Sequence, residues 1–186
     1  MRRIAATLAA LALGASAQAG PVDWRLDGEA SEIVFEYALN GETRTGRFAE
    51  VEGEGVFDPD APEAARMEVR IAARGLKLEH PVETAFAQGP EWFDAANHPA
   101  ARYRLARLEG TEGDWTALGD LTIKGSTVII RAPLALTLGE TTATASGALT
   151  VNRRDFDLGL GLSDVVLDIG DAVTVRFALA LRPAPE

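Results

Sequence analysis

From Val128 to Leu138 the chain places Val128, Ile130, Ala132, Leu134, Leu136 and Leu138 at every second position. Successive side chains of an extended strand point to opposite faces, so this spacing puts all six on one face; a helical stripe would repeat every 3.6 residues instead. The same alternation recurs along the chain. Ile33, Phe35, Tyr37 and Leu39 share a face, and Asn40-Gly41 then supplies the dipeptide favoured in tight hairpins, with Thr43 to Ala49 as the return strand. Glu52 to Phe57 reads as a strand ending at the turn Asp58-Pro59-Asp60-Ala61-Pro62, and Met67, Val69 and Ile71 alternate in the next.

Downstream, Tyr103 and Leu105 alternate, as do Trp115, Ala117, Gly119, Leu121 and Ile123, before Lys124-Gly125-Ser126 turns the chain into the Val128 run. Ala143, Ala145, Gly147, Leu149 and Val151 follow, then Val165-Val166-Leu167, then Val173, Val175, Phe177, Leu179 and Leu181. Small residues dominate some of these faces, as where strands curl closely or leave room inside. Roughly eight to ten short strands without a linker predict one antiparallel sandwich or closed barrel. Alternation lapses only between Leu78 and Pro99. There Pro81 suits a first helical turn, and Val82, Ala85 and Phe86 predict one short helix.

The first 19 residues read as a separate unit. Arg2 and Arg3 precede the apolar run Ile4 to Ala15, and Ala17-Gln18-Ala19 is a small-residue cleavage site, the pattern of a Sec-type signal peptide. The expected division is therefore a leader over 1–19 and one domain over 20–186, exported to the periplasm. Without the leader, 16 Lys and Arg face 28 Asp and Glu, a formal charge of −12. Such a surface repels phosphate backbones, which argues against nucleic acid as a partner. The absence of cysteine excludes thiol chemistry and disulfides.

Site chemistry is sparse. His80 and His98 are the only histidines, each stands before a proline that biases it toward extended backbone, and neither has an imidazole four residues on. Glu79, Glu83, Glu91 and Asp94 lie nearby, yet no HExxH-like spacing appears. Ser31, Ser126, Ser146 and Ser163 lie in no G-x-S-x-G elbow. Asp155 with Asp157, and Glu50, Glu52 and Glu54, alternate as an outer strand face does. What remains is an apolar interior: Phe35, Phe48, Phe57, Phe86, Trp92, Phe93, Phe156 and Phe177 either pack a core or surround a ligand, and a barrel of about eight strands has room for one or the other.

Several motifs, in order, resemble the YceI-like family. They are Trp24 with Leu26-Asp27, Ser31-x-Ile33-x-Phe35, Gly46-Arg47-Phe48 with Gly53, and Trp92-Phe93-Asp94 followed by His98-Pro99-Ala100-Ala101-Arg102-Tyr103. Gly119-Asp120-Leu121-Thr122-Ile123-Lys124-Gly125 and Arg154-Asp155-Phe156 complete the set. The chain departs from the family pattern at Ser126 to Ile129, where a proline is usual, at His98 in place of an aromatic, and at Asp157 in place of glycine.

The resemblance implies an all-β, lipocalin-like antiparallel barrel of about eight strands with one short helix. It also implies an exported protein with a long apolar cavity for an isoprenoid, quinone or fatty chain, without a cofactor or catalytic activity. On that basis Phe35, Tyr37, Phe86, Phe93, Leu134, Leu136, Phe156 and Phe177 are the expected cavity wall. Phe93 would point inward, Asp94 would brace its turn by bonding backbone amides, and Pro99 would fix the start of the strand carrying Tyr103. Loading would involve transient membrane contact, and an edge strand would be the place for a homodimer. Two rivals stand beside this reading: a filled barrel acting as a stress-response or partner-binding module, and a hydrolase using buried carboxylates.

Overall fold

The computed structural model describes residues 20–58, 61–111, 113–139 and 141–185. The expected leader, 1–19, lies outside them, as do Pro59 and Asp60 of the expected turn. The strands are β1 (Val22–Leu39), β2 (Glu42–Phe48), β3 (Val51–Phe57), β4 (Arg66–Ala72), β5 (Leu76–Lys77), β6 (Ala100–Thr111), β7 (Asp114–Ile123), β8 (Ser126–Leu138), β9 (Ala143–Asn152) and β10 (Ala172–Pro183). Helix α1 (Pro81–Ala87) follows β5 and helix α2 (Leu162–Val166) precedes β10.

Local chemistry explains the tight turns. Asn40 and Gly41 take φ of 52° and 79°, the left-handed pair that a two-residue hairpin needs to match strand twist. Lys124 and Gly125 repeat this at 50° and 87°. Lysine is an unusual choice there, and its ammonium is held by the carbonyls of Glu91 and Asp157, each at 3.0 Å. In α1, His80 stays extended before Pro81, which occupies the first turn as its missing N–H allows.

The sheet runs β10-β9-β8-β7-β6-β4-β3-β1 and closes through β1 against β10, giving a barrel of eight antiparallel strands. β1 is longer than the barrel. Its start pairs with β3 from Val22↔Phe57 to Arg25↔Glu54, and its second half pairs with β2 from Ile33↔Phe48 to Leu39↔Glu42. β2 and β5 thus form a flap beyond the closed wall. One end of the barrel carries both strand termini and the β3–β4, β6–β7 and β8–β9 connections. The other, helical end carries α1, α2 and the remaining turns.

Two bulges break the inward alternation. β1 shifts register against β10 between Asp27 and Glu32, so Trp24 and Leu26 face inward before it and Ile33 after it. β6 shifts against β7 between Leu105 and Arg107, which brings Leu108 inward in place of Arg107. A bulge opposes extra residues to a partner strand, and an odd excess exchanges the two faces.

One sequence expectation fails. Val165, Val166 and Leu167 read as strand, yet Val165 and Val166 belong to α2 and are 84% and 73% exposed. A three-residue apolar run carries too little period to separate strand from helix. Beside it, the 3-10 turn Arg153–Phe156 leads out of β9 and buries Phe156 completely.

Candidate functional site

The barrel encloses an apolar cavity. Its volume is about 200 Å³. A single water needs only about 10–15 Å³, so the space far exceeds the voids of an ordinary core.

The wall is built from the inward faces anticipated by alternation. β4 supplies Met67, Val69 and Ile71, β8 supplies Ile130, Ala132, Leu134, Leu136 and Leu138, β9 supplies Ala143, Ala145, Leu149 and Val151, and β10 supplies Val175, Phe177, Leu179 and Leu181. Small side chains on β7, β8 and β9 keep the lumen open. At Gly119 the ring of Tyr103 lies across the backbone so closely that an added Cβ would come within 2.7 Å of it.

Only two wall residues are ionisable. Arg66 stands at the rim, donating to the carbonyls of Glu63 and Ala65. Tyr103 is half-buried, and burial, with a smaller push from Asp120, moves its phenol to about 12. Its hydroxyl and the Trp24 indole N–H are buried without a hydrogen-bond partner among the described residues.

Of the expected wall residues, Leu134, Leu136 and Phe177 line the cavity. The other five lie elsewhere, which redraws the expected wall. Phe35 and Tyr37 share the inward parity of Ile33 but lie nearer the helical end of β1, where the strand also pairs with β2. There Phe35 stacks with Tyr37 and with Phe48, and Phe48 meets Phe93 edge-on at 5.7 Å. Phe86 is on α1 and 52% exposed. Phe156 fills the 3-10 turn after β9. Alternation assigns a face but not a depth along the axis, and that is the missing information. Trp24 lies beyond the β1 bulge from Ile33, so the alternation of the later half of β1 did not place it on the wall.

The stretch Glu91 to Pro99 is a clamp at the helical end. Asp94 adopts φ 45°, and its carbonyl, rather than its carboxylate, accepts the amides of Asn97 and His98. The carboxylate accepts instead from the Asn97 side chain at 3.0 Å. Glu91 accepts from the amides of Gly161 and Ser163 at 3.1 and 2.6 Å, and the Ser163 hydroxyl, then the amide, hold its carboxyl below the usual range. Trp92 donates to the Ser163 hydroxyl at 3.2 Å.

Arg153, only 2% exposed, completes the clamp. Its guanidinium donates to the carbonyls of Leu158, Gly159, Ile169 and Gly170 and pairs with Asp164 at 2.6 Å and Asp171 at 3.1 Å. The sequence motif drew attention to the neighbouring Arg154, which forms exposed pairs with the same two acids. Two adjacent arginines are indistinguishable until the turn buries one.

A closed eight-stranded barrel with an apolar lumen and no ionisable constellation on its wall defines a lipocalin-like architecture. A family model described as YceI-like domain matches residues 24–181, and the chain belongs to that family. A relative called UPF0312 protein in Pseudomonas fluorescens is 29% identical over 88% of this chain and 94% of its own length. One in Pseudomonas savastanoi pv. phaseolicola is 28% identical over 88% and 93%. Among solved structures, BcnA of Burkholderia cenocepacia superposes with a TM-score of 0.77 at 23% identity, covering 83% of this chain and 98% of that one. A polyisoprenoid binding domain from Saccharophagus degradans superposes at 0.72 and 19% identity, covering 88% and 99%. These likenesses establish the fold.

Proposed function

We propose that the mature chain is a periplasmic carrier that holds an isoprenoid, quinone or other long-chain amphiphile noncovalently inside the barrel. The observation that carries this reading is the lumen itself: an open apolar space whose wall is hydrocarbon along nearly its whole length, inside an acidic exterior. Empty space of this size forfeits packing contacts that a chain would restore. Burial is worth about 0.8 kcal/mol per CH₂, so about ten methylenes bring affinity toward micromolar before ordering costs.

The wall supplies neither nucleophile nor general base. Tyr103 stays protonated at neutral pH and Arg66 is engaged at the rim, so the reading is binding without catalysis. The likeness to the Saccharophagus domain, whose name states polyisoprenoid binding, supports the ligand class. The leader-like residues 1–19 support export. Val82 and Phe86 on α1, with Leu162, Val165 and Val166 on α2, are exposed apolar side chains at the helical end and would serve transient membrane contact during loading.

The test is organic extraction and mass spectrometry of protein purified from its own periplasm, with native mass spectrometry for stoichiometry. A stoichiometric long-chain species is expected. Empty protein that also refuses polyprenols, quinones and fatty amphiphiles added afterwards would overturn the proposal.

A further inference from the structure

The barrel wall is not continuous. β8 pairs with β7 along its course from Ser126↔Ile123 to Leu134↔Trp115, and β9 pairs with β10 from Ala143↔Leu181 to Asn152↔Ala172. Between β8 and β9, however, the ladder runs only from Leu138↔Ala143 to Ala135↔Ser146. Toward the helical end the two strands part, and a groove opens between them, lined by Val128 to Arg131 on one side and Leu149 to Asn152 on the other.

The sequence accounts for the fork. Pro133 has no N–H, and a proline inside a sheet belongs where one edge is unpaired. Gly147 faces the next residue, Leu134, in the continued register, and an added Cβ there would lie 2.3 Å from the Pro133 carbonyl, so glycine lets the strands approach closely just before they part. The groove is closed at its foot by Phe156 and by Ser126 donating to Asp157 at 3.2 Å.

The groove and the cavity share a partition. Ile130, Leu149 and Val151 line both, and Ile129 on the outer lip is 71% exposed. The Pro62–Ala64 turn folds over the termini end and seats Ala65 against Leu105 and Leu108, while the Phe35–Phe48–Phe93 cluster lies at the helical end. Along β8 from Val128 to Arg131 no ladder hydrogen bond to β9 has to break for a chain to pass, and side-chain rotations, which are fast, suffice.

The geometry points to the β8–β9 groove as a lateral entrance, through which an apolar chain slips sideways into the lumen past Ile130, Leu149 and Val151. This rests on the carrier reading. Continuing the β8–β9 register places the exposed Arg131 opposite Thr150, and the chain contains no cysteine.

The experiment is therefore R131C/T150C joined by a short bis-maleimide, with retinol as the probe, its uptake followed in stopped flow by energy transfer from tryptophan. Cross-linking is expected to slow uptake at least tenfold while leaving equilibrium binding within about twofold. Should the double variant fail to fold, Val151→Ala is expected to speed uptake and Val151→Phe to slow it. Equal uptake with and without the cross-link, or rates indifferent to both Val151 variants, would overturn the entrance and leave the carrier standing. An unmodified protein that binds neither retinol nor polyprenols, quinones and fatty amphiphiles would overturn both.

Discussion

The Arg153 guanidinium lies over the Trp92 ring, 5.9 Å from its centre, although the two residues come from opposite ends of the helical-end loops. Trp92 is also fixed by Ser163, and its ring lies against Gly159, so one aromatic side chain touches the segment that Arg153 organises. Together they tie residues 153–171 to the loop that carries Glu91 and Trp92.

Arg153→Ala is expected to cost on the order of 3–5 kcal/mol, because the carbonyls of Leu158, Gly159, Ile169 and Gly170 lose their donor at once, while Asp164 keeps only Arg154. Arg153→Lys is expected to recover little of this, since an ammonium cannot fork to partners in one plane. Urea unfolding would check both. An Arg153→Ala protein as stable as the parent would show that the carbonyls find water instead.

Ala145 faces the lumen without filling it. Ala145→Phe is accordingly expected to fold with a stability change below about 1.5 kcal/mol, where the same change in a filled core typically costs 1–3. It should nevertheless abolish retinol capture. Thermal denaturation and fluorescence titration on one preparation read both effects, and strong destabilisation would indicate that the lumen is already packed.

Phe93 packs edge-on against Phe48 in the aromatic cluster and does not line the cavity. Phe93→Ala is expected to lower stability by about 1.5–3 kcal/mol while leaving ligand affinity within twofold. Leu134→Ala, by contrast, should change affinity directly. A loss of binding in Phe93→Ala at full folding would put the cluster back on the wall.

The chain has two tyrosines, and burial holds Tyr103 at about 12 against an ordinary value of 10.0. A group whose folded pKa is raised contributes stability that is complete below pH 10 and lost as the pH climbs toward 12. Absorbance titration at the phenolate band should show a late-titrating step that Tyr103→Phe removes. Because the hydroxyl has no partner among the described residues, Tyr103→Phe should also be neutral or stabilising at pH 7.

Glu91 runs the other way. Its carboxyl is held below 4.5, first by the Ser163 hydroxyl, so its stabilising contribution is present above that pH and fades as the pH falls below it. Melting temperatures of the parent and Glu91→Gln should therefore differ at pH 7 and converge in acid. A gap independent of pH would mean that the charge is irrelevant to the clamp.

Much of the barrel could be read directly from the chain. Alternation along Val128 to Leu138 identified the lumen face of β8, and Asn40-Gly41 identified a hairpin, because both are properties of neighbouring residues. The candidate site was legible only in part. Leu134, Leu136 and Phe177 were found, whereas Phe35 and Tyr37 had the right parity and the wrong depth. Trp24 and Leu108 were hidden behind bulges that exchange faces. α2 was misread because three apolar residues carry no usable period, and Arg153 was masked by its neighbour.

Alternation by itself determined that this chain is built of antiparallel strands and which face of most of them turns inward, while the ordered motifs pointed to the YceI-like family and its barrel. The faces follow from short-range spacing, since a side chain's face depends on its immediate neighbours. Only the tertiary structure decided which inward residues border empty space, which arginine is buried, and where the wall parts between β8 and β9. Those depend on strand stagger, bulges and loop packing between residues far apart in sequence, and no local pattern encodes the distance between two strands that do not pair.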